Sequence, residues 1–348
     1  MARSPSYRHP GLTQGVIAPN LLHRCGPRLR LTPASAIIGG RCTTSTKGQP
    51  TMSPGSQPLP LPALQTIALS AGPVAYRRAG QGPPLLLLHG WGGSSRHWLG
   101  AFAALSAHHD VVALDLPGFG ASPPPDAPFT LGGLAATIGA CADALGLQRF
   151  ALGGHSLGAA LALLVASARP EAVARLALVS FGLPRDLLEA LWMARLHLSL
   201  QVSAALWGPW LALWRPWLAA ARPFAQLAWT TPPLPALLAS PLLRRPTALP
   251  PALLAIGAAD LVAMDARVGL EAACTAGDLS VAAAAPRAAA PTLVISGAAD
   301  PLFPPSTARA LADALPHAGL VLIEECGHVP MAEAPAALFG ALGAFLAM

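Results

Sequence analysis

The chain has 348 residues, 53% of them apolar and 11% charged, which supplies a substantial core and excludes wholesale disorder. Its net charge of +6 belongs to the leader: residues 1–51 hold seven basic residues and no acid, leaving 15 basic against 16 acidic residues from Met52 onward. A near-neutral body lacks the basic patch that nucleic-acid binding needs, so no nucleic-acid partner is expected.

The leader carries Arg3, Arg8, Arg24, Arg28, Arg30, Arg41 and Lys47 among many Ser and Thr, the composition of an organellar transit segment. Its best apolar stretch, Ala36-Ile37-Ile38, is too short for a secretory signal. Met52 offers an alternative start just before the first strand-like segment. Both readings make 1–51 a disordered leader without chemistry. The five cysteines (Cys25, Cys42, Cys141, Cys274, Cys326) are odd in number and form no Cys-x-x-Cys pair. Neither a zinc site nor a disulfide framework is expected, and reduced thiols make the cytoplasm the default location, with organellar targeting by 1–51 as the variant.

From Ala63 the chain alternates. Gln65–Ser70 and Val74–Arg78 read as a hairpin. Pro84–Leu88 is a continuous leucine run ending in His89-Gly90-Trp91-Gly92-Gly93, and Asp110–Leu114 leads into Asp115-Leu116-Pro117-Gly118-Phe119-Gly120. Further strand-like segments are Arg149–Gly153, Arg175–Val179, Thr292–Ser296 and Leu320–Ile323, with helical patterns at Leu131–Leu145, Ala159–Ala168, Ser306–Leu315 and Ala334–Leu346. Strands apolar throughout, alternating with helices, predict a mainly parallel twisted sheet with helices on both faces. Ligands on such a sheet bind at the carboxyl ends of its strands.

The alternation stops between Phe181 and about Arg287. That block holds six of the eight tryptophans (Trp192, Trp207, Trp210, Trp214, Trp217, Trp229) and no convincing strand. It reads as a helical cap, 182–287, inserted between later strands of a core formed by 62–181 and 288–348. Pro209, Arg215 and Pro216 interrupt its most apolar stretch, arguing against a membrane span and for two broken helices whose tryptophans pack on the main domain. Weak membrane-surface contact through the cap is the secondary expectation.

Gly154-His155-Ser156-Leu157-Gly158 lies between a strand and a helix. A turn this tight needs small neighbours and pushes the serine out of the backbone, where a base can reach its hydroxyl. A serine hydroxyl is a poor nucleophile until a base takes its proton and a third group fixes the tautomer of that base. His328, in Gly327-His328-Val329-Pro330 after the last strand, is the candidate base, and Asp300, in Gly297-Ala298-Ala299-Asp300-Pro301, is the candidate acid in the expected chain order. Asp186 is the reserve acid. Asp260 and Asp265 read as surface or helix-cap residues, and His89 and His155 as structural hydrogen-bonders. Two backbone N–H groups, of Trp91 and Leu157, are the candidate oxyanion donors, the latter at a helix N-terminus. No Gly-Lys-Ser/Thr follows the glycine-rich loop, which argues against a phosphate cradle.

These motifs, from about Gly72 to the end, resemble the α/β-hydrolase superfamily, in its capped serine-esterase branch. The resemblance implies an α/β-hydrolase fold and serine chemistry without cofactor or metal, with Ser156, His328 and Asp300 as triad. A serine at the elbow separates the chain from dehalogenase and epoxide-hydrolase relatives, which carry aspartate there. Three functions are weighed: hydrolysis of a small apolar carboxylic ester through an acyl-serine; thioester hydrolysis, acyl transfer or carbon–carbon cleavage by the same triad; and binding on a hydrolase fold, which the intact triad order disfavours.

Overall fold

The computed structural model describes residues 61–231, 242–245 and 249–348. The leader 1–51 lies outside them. Eight strands build one sheet: β1 (Leu64–Leu69), β2 (Gly72–Ala79), β3 (Pro84–Leu88), β4 (Asp110–Leu114), β5 (Phe150–His155), β6 (Val173–Val179), β7 (Thr292–Gly297) and β8 (Ala318–Ile323). Their order is β1-β2-β4-β3-β5-β6-β7-β8. The β1–β2 and β2–β4 pairs are antiparallel and all others parallel. This is the α/β-hydrolase architecture that the sequence predicts.

The leucine run of β3 shows why such strands are apolar throughout. Successive side chains point to opposite faces, so Leu86 and Leu88 join one core while Leu85 and Leu87 join the other. Helices α2 (Leu131–Ala144) and α3 (Leu157–Ala168) cover the first face. Helices α1 (Leu99–Leu105) and the C-terminal helix (Pro335–Leu346) cover the second. Thr130 caps α2, its hydroxyl accepting from Gly133 N–H, which satisfies one of the helix's four orphan donors.

Four described helices are inserted between β6 and β7: α4 (Leu187–Thr230), α5 (Pro251–Ala263), α6 (Ala266–Ala273) and α7 (Leu279–Ala284). Pro251 starts α5, and Asp265 and Asp278 cap α6 and α7. Val268 and Ala272 of α6 and Val281 and Ala284 of α7 are buried in the first core, so the inner insert is part of the domain.

The outer insert departs from expectation. In place of two broken helices, α4 runs 44 residues through Pro209, Pro216 and Pro223. Each proline deletes one backbone donor and bends the helix. The three lie seven residues apart on one exposed face, where water can satisfy the freed carbonyls. The tryptophans also depart from it. Trp192, Trp210, Trp214 and Trp217 are 57–71% exposed and do not pack on the main domain. The side chains of Trp207 and Trp229 lie outside the described set. Among the described residues no helix is long and apolar enough to cross a membrane.

The helices after β7 are α8 (Pro305–Ala314), α9 (Pro330–Glu333) and the C-terminal helix, α10. Pro335 starts α10, which matches the helical pattern read at Ala334–Leu346, while the short α9 before it is not read from the sequence.

Candidate active site

The site is assembled at the carboxyl ends of β3, β5, β7 and β8. Ser156 follows β5 with φ 53° and ψ −116°, a left-handed conformation that side chains avoid, and its N–H donates to Val179 O at 2.9 Å. The flanking glycines are steric necessities. A Cβ on Gly154 would lie 2.1 Å from Gly158 O, and one on Gly158 would lie 2.5 Å from the carbonyls of Leu88 and His89. The elbow therefore closes on itself and on the end of β3 at backbone distance.

His328 follows β8. Its Nδ1–H donates to Asp300 Oδ2 at 2.9 Å, leaving Nε2 as the ring's proton acceptor. Both side chains are sealed, at 5% and 0% exposure. Asp300 is itself fixed, its other oxygen accepting from Leu302 N–H at 2.9 Å and Phe303 N–H at 3.0 Å. The Phe303 ring stacks at 5.9 Å from the His328 ring. Acid loop and base loop meet at Gly297, where a Cβ would lie 2.2 Å from Gly327 O.

His155 links elbow and base. Its Nε2–H donates to His328 O at 2.8 Å, and the two rings are 5.0 Å apart. His89 is equally committed, its Nδ1–H to Gly90 O at 2.7 Å and its Nε2 to Leu116 N–H at 2.9 Å. Burial pushes both imidazoles down, so they stay neutral. The structural roles read for them in the sequence match these bonds.

Four groups escape sequence reading. Glu333 holds the base loop: Oε1 accepts from Gly327 N–H at 3.1 Å and Oε2 from Arg244 N–H at 2.6 Å. Leu242 O accepts from His328 N–H at 2.8 Å. His97 sits against Gly93 with Nδ1 sealed and unpartnered, and burial lowers its pKa to about 3. The fourth is Asp260, expected at the surface or as a helix cap and found fully buried on α5. Its carboxylate accepts from Ser94 Oγ at 2.8 Å and pairs with Arg96; burial still raises its pKa, and these partners only partly counter that rise. The signal was a single acid in an apolar helix, Ala258-Ala259-Asp260-Leu261, since such acids are buried only when paired.

These contacts tie the insert to the glycine-rich loop after β3. Trp91 Nε1–H donates to Gly269 O of α6 at 2.8 Å, and a Cβ on Gly92 would lie 2.9 Å from Leu261 of α5. Among the described residues, neither Trp91 N–H nor Leu157 N–H donates to a turn, loop or cap carbonyl. Asp186 is not brought to the base: it lies exposed, its carboxylate accepting from Glu189 N–H at the start of α4. Glu325 is likewise exposed and pairs with Arg245. Burial holds the Cys326 thiol up at about 12, which keeps it protonated and unreactive. Among the described residues no group of three His, Cys, Asp or Glu could hold a metal ion.

The sequence profile of the alpha/beta hydrolase fold family matches residues 83–335, and the chain belongs to that family. An uncharacterised protein of Mycobacterium tuberculosis is 38% identical over 121 residues, 35% of this chain and 36% of the relative. The chain thus spans about a third of the length of the curated relatives it matches. Among solved structures, a membrane phospholipase A described as a bacterial virulence factor is 28% identical with a TM-score of 0.62, over 82% of this chain and 85% of that one. A hydrolase from Pseudomonas aeruginosa is 27% identical with a TM-score of 0.62, over 82% and 98%.

Proposed function

We propose that the protein is a serine hydrolase of small apolar carboxylic esters, acting through an acyl-serine without a cofactor. The observation that carries this reading is the Nδ1–H bond from buried His328 to buried Asp300, together with a serine held at positive φ at the carboxyl end of β5. It leaves one basic nitrogen, in one tautomer, with an acid behind it to support the imidazolium.

In the first step His328 Nε2 takes the hydroxyl proton as Ser156 Oγ bonds to the ester carbonyl carbon, whose oxygen becomes an oxyanion. The N–H groups of Trp91 and Leu157 receive that charge, the latter at the positive end of α3. Collapse of the intermediate breaks the carbon–oxygen bond, and His328 returns its proton to the departing alkoxide. Water then repeats the sequence: His328 takes its proton, hydroxide adds to the acyl carbon, and the carboxylic acid leaves as Ser156 regains its hydrogen.

The apolar preference is supported by what surrounds these loops. Phe303 stacks near His328, Phe181 lies 5.2 Å from Phe303, and Leu261 lies on Gly92. Each methylene buried in such surroundings is worth about 0.8 kcal/mol, so butyrate to octanoate esters should exceed acetate in kcat/KM. Likeness to a phospholipase fits an apolar acyl group. The helical insert serves in this reading as the cap over the cleft.

A fluorophosphonate probe followed by peptide mass spectrometry tests the nucleophile. Labelling at Ser156, lost in Ser156→Ala, is the expected result; labelling that survives the substitution overturns it. A panel of p-nitrophenyl esters and acyl-CoA thioesters then reads the substrate class.

A further inference from the structure

The outer face of α4 is a large apolar surface that no other described element covers. Leu198, Leu206, Trp210, Trp217 and Phe224 follow one another at helical spacing and are each 61–77% exposed. The helix is about 66 Å long at 1.5 Å per residue. Its four exposed tryptophans alone present roughly 400–600 Å² of aromatic surface, at the upper limit of the largest patch on an ordinary monomer. The inner neighbours of α4, namely α5 and α6, leave this face open.

We infer that this face of α4 docks on an anionic lipid surface, lying in the plane of the interface and holding the site at the source of its apolar ester. The inference rests on the ester-hydrolase reading for its purpose, but not for its test. Charge complementarity selects the occupant. Residues 190–230 contain no acid and three arginines, Arg195, Arg215 and Arg222. Anionic headgroups neutralise such a segment, whereas a second copy would bring like charges together. The face itself also disfavours a second copy. Helix pairs want regular aliphatic knobs, and Trp210, Trp217, Pro209, Pro216 and Pro223 interrupt any such seam. Tryptophan is the side chain suited to the headgroup boundary, because its ring is apolar and its indole N–H stays hydrated. The helix does not meet the demands of a membrane span, so the contact is lateral.

The test uses the full chain and needs no turnover. Vesicles of equal phosphatidylglycerol and phosphatidylcholine are added to the parent and to a Trp210→Ser, Trp217→Ser, Phe224→Ser variant, and partition is read by co-sedimentation. Expected are a partition coefficient at least tenfold lower in the variant, weaker binding at high salt, and unchanged hydrolysis of a water-soluble acetate ester by both. In the parent alone, tryptophan emission should shift to the blue and be quenched by brominated lipid, a readout independent of how the variant folds. Equal partition of both proteins, absence of quenching, or a parent dimer in sedimentation equilibrium that dissociates in the variant would each overturn the inference. Ser156→Ala should bind vesicles as the parent does while losing turnover. A failure of binding and a failure of the hydrolase reading are therefore separately visible.

Discussion

The rim of the sheet and the outer face of α4 are opposite solutions to where polar and apolar groups belong. At the rim the carboxylates are buried or half-buried and paired: Asp300 with two N–H groups and His328, Asp260 with Ser94 and Arg96, and half-buried Glu333 with three backbone donors. On α4, large apolar groups are exposed and no other described element covers them. A buried polar group unpaired by mutation costs several kcal/mol, while an exposed apolar side chain can be changed at little cost to folding. The rim is therefore where substitution should be severe, and α4 where it should be silent for stability and visible only in binding.

The largest expected effect is at the nucleophile. Ser156→Ala removes a hydroxyl and little packing, so turnover should fall by up to about 10⁶-fold with an unchanged melting temperature. Activity within tenfold of the parent on the ester panel would place the chemistry elsewhere. Next comes Asp300→Asn, which keeps the shape but offers an amide where Nδ1–H needs a carboxylate. A kcat loss of roughly 10⁴-fold is expected, with circular dichroism as the check on folding. A silent Asp300→Asn beside a damaging Asp186→Asn would mean that the acid is misassigned.

Asp260→Ala sharpens the contrast inside the insert. It leaves Arg96 and Ser94 without their buried partner, and a cost of about 3–5 kcal/mol in denaturant unfolding is expected. Because Ser94 and Arg96 directly follow the glycine-rich loop, kcat should fall by up to about 10²-fold in the folded fraction, with KM less affected. Leu206→Ser on α4 should instead change stability by no more than about 0.5 kcal/mol.

A pH dependence centred on the buried histidines of the rim is also expected. His89 and His155 are neutral and buried in the native state, and His97 titrates at about 3. Below pH 6.5 the unfolded chain binds protons that the folded one refuses, so stability falls with pH by about 1.4 kcal/mol per unit for each such histidine. The loss continues until the folded pKa is passed, near 3 for His97. Thermal melts between pH 7 and 4.5 should show it, and His97→Gln should flatten the slope by one proton. A melting temperature constant over that range would contradict the buried neutral state.

What was legible in the sequence follows the same division. The leucine run of β3, the glycines flanking Ser156 and the order Ser156, Asp300, His328 each state a local requirement, and the structure places all of them at one rim. The Glu333 and Asp260 contacts join segments 89 and 164 or more residues apart, and no local pattern encodes such a pairing. The tryptophans misled because an apolar side chain in a helix reads the same whether it faces a core or an interface. The prolines misled because a helix tolerates them when all fall on its wet side.

Segment 242–245 has a consequence for anyone recombining this family. Leu242 O and Arg244 N–H, which belong to the insert between β6 and β7, grip the loop of His328 and its anchor Glu333. A Cβ on Gly327 would lie 2.8 Å from Arg244 N, so the fit there is tight. Transplanting a foreign insert between β6 and β7 would thus also replace half of the vice on the base. Chimaeras cut after residue 245 should keep their proton acceptor aligned, and those cut before residue 242 should inherit a loose one.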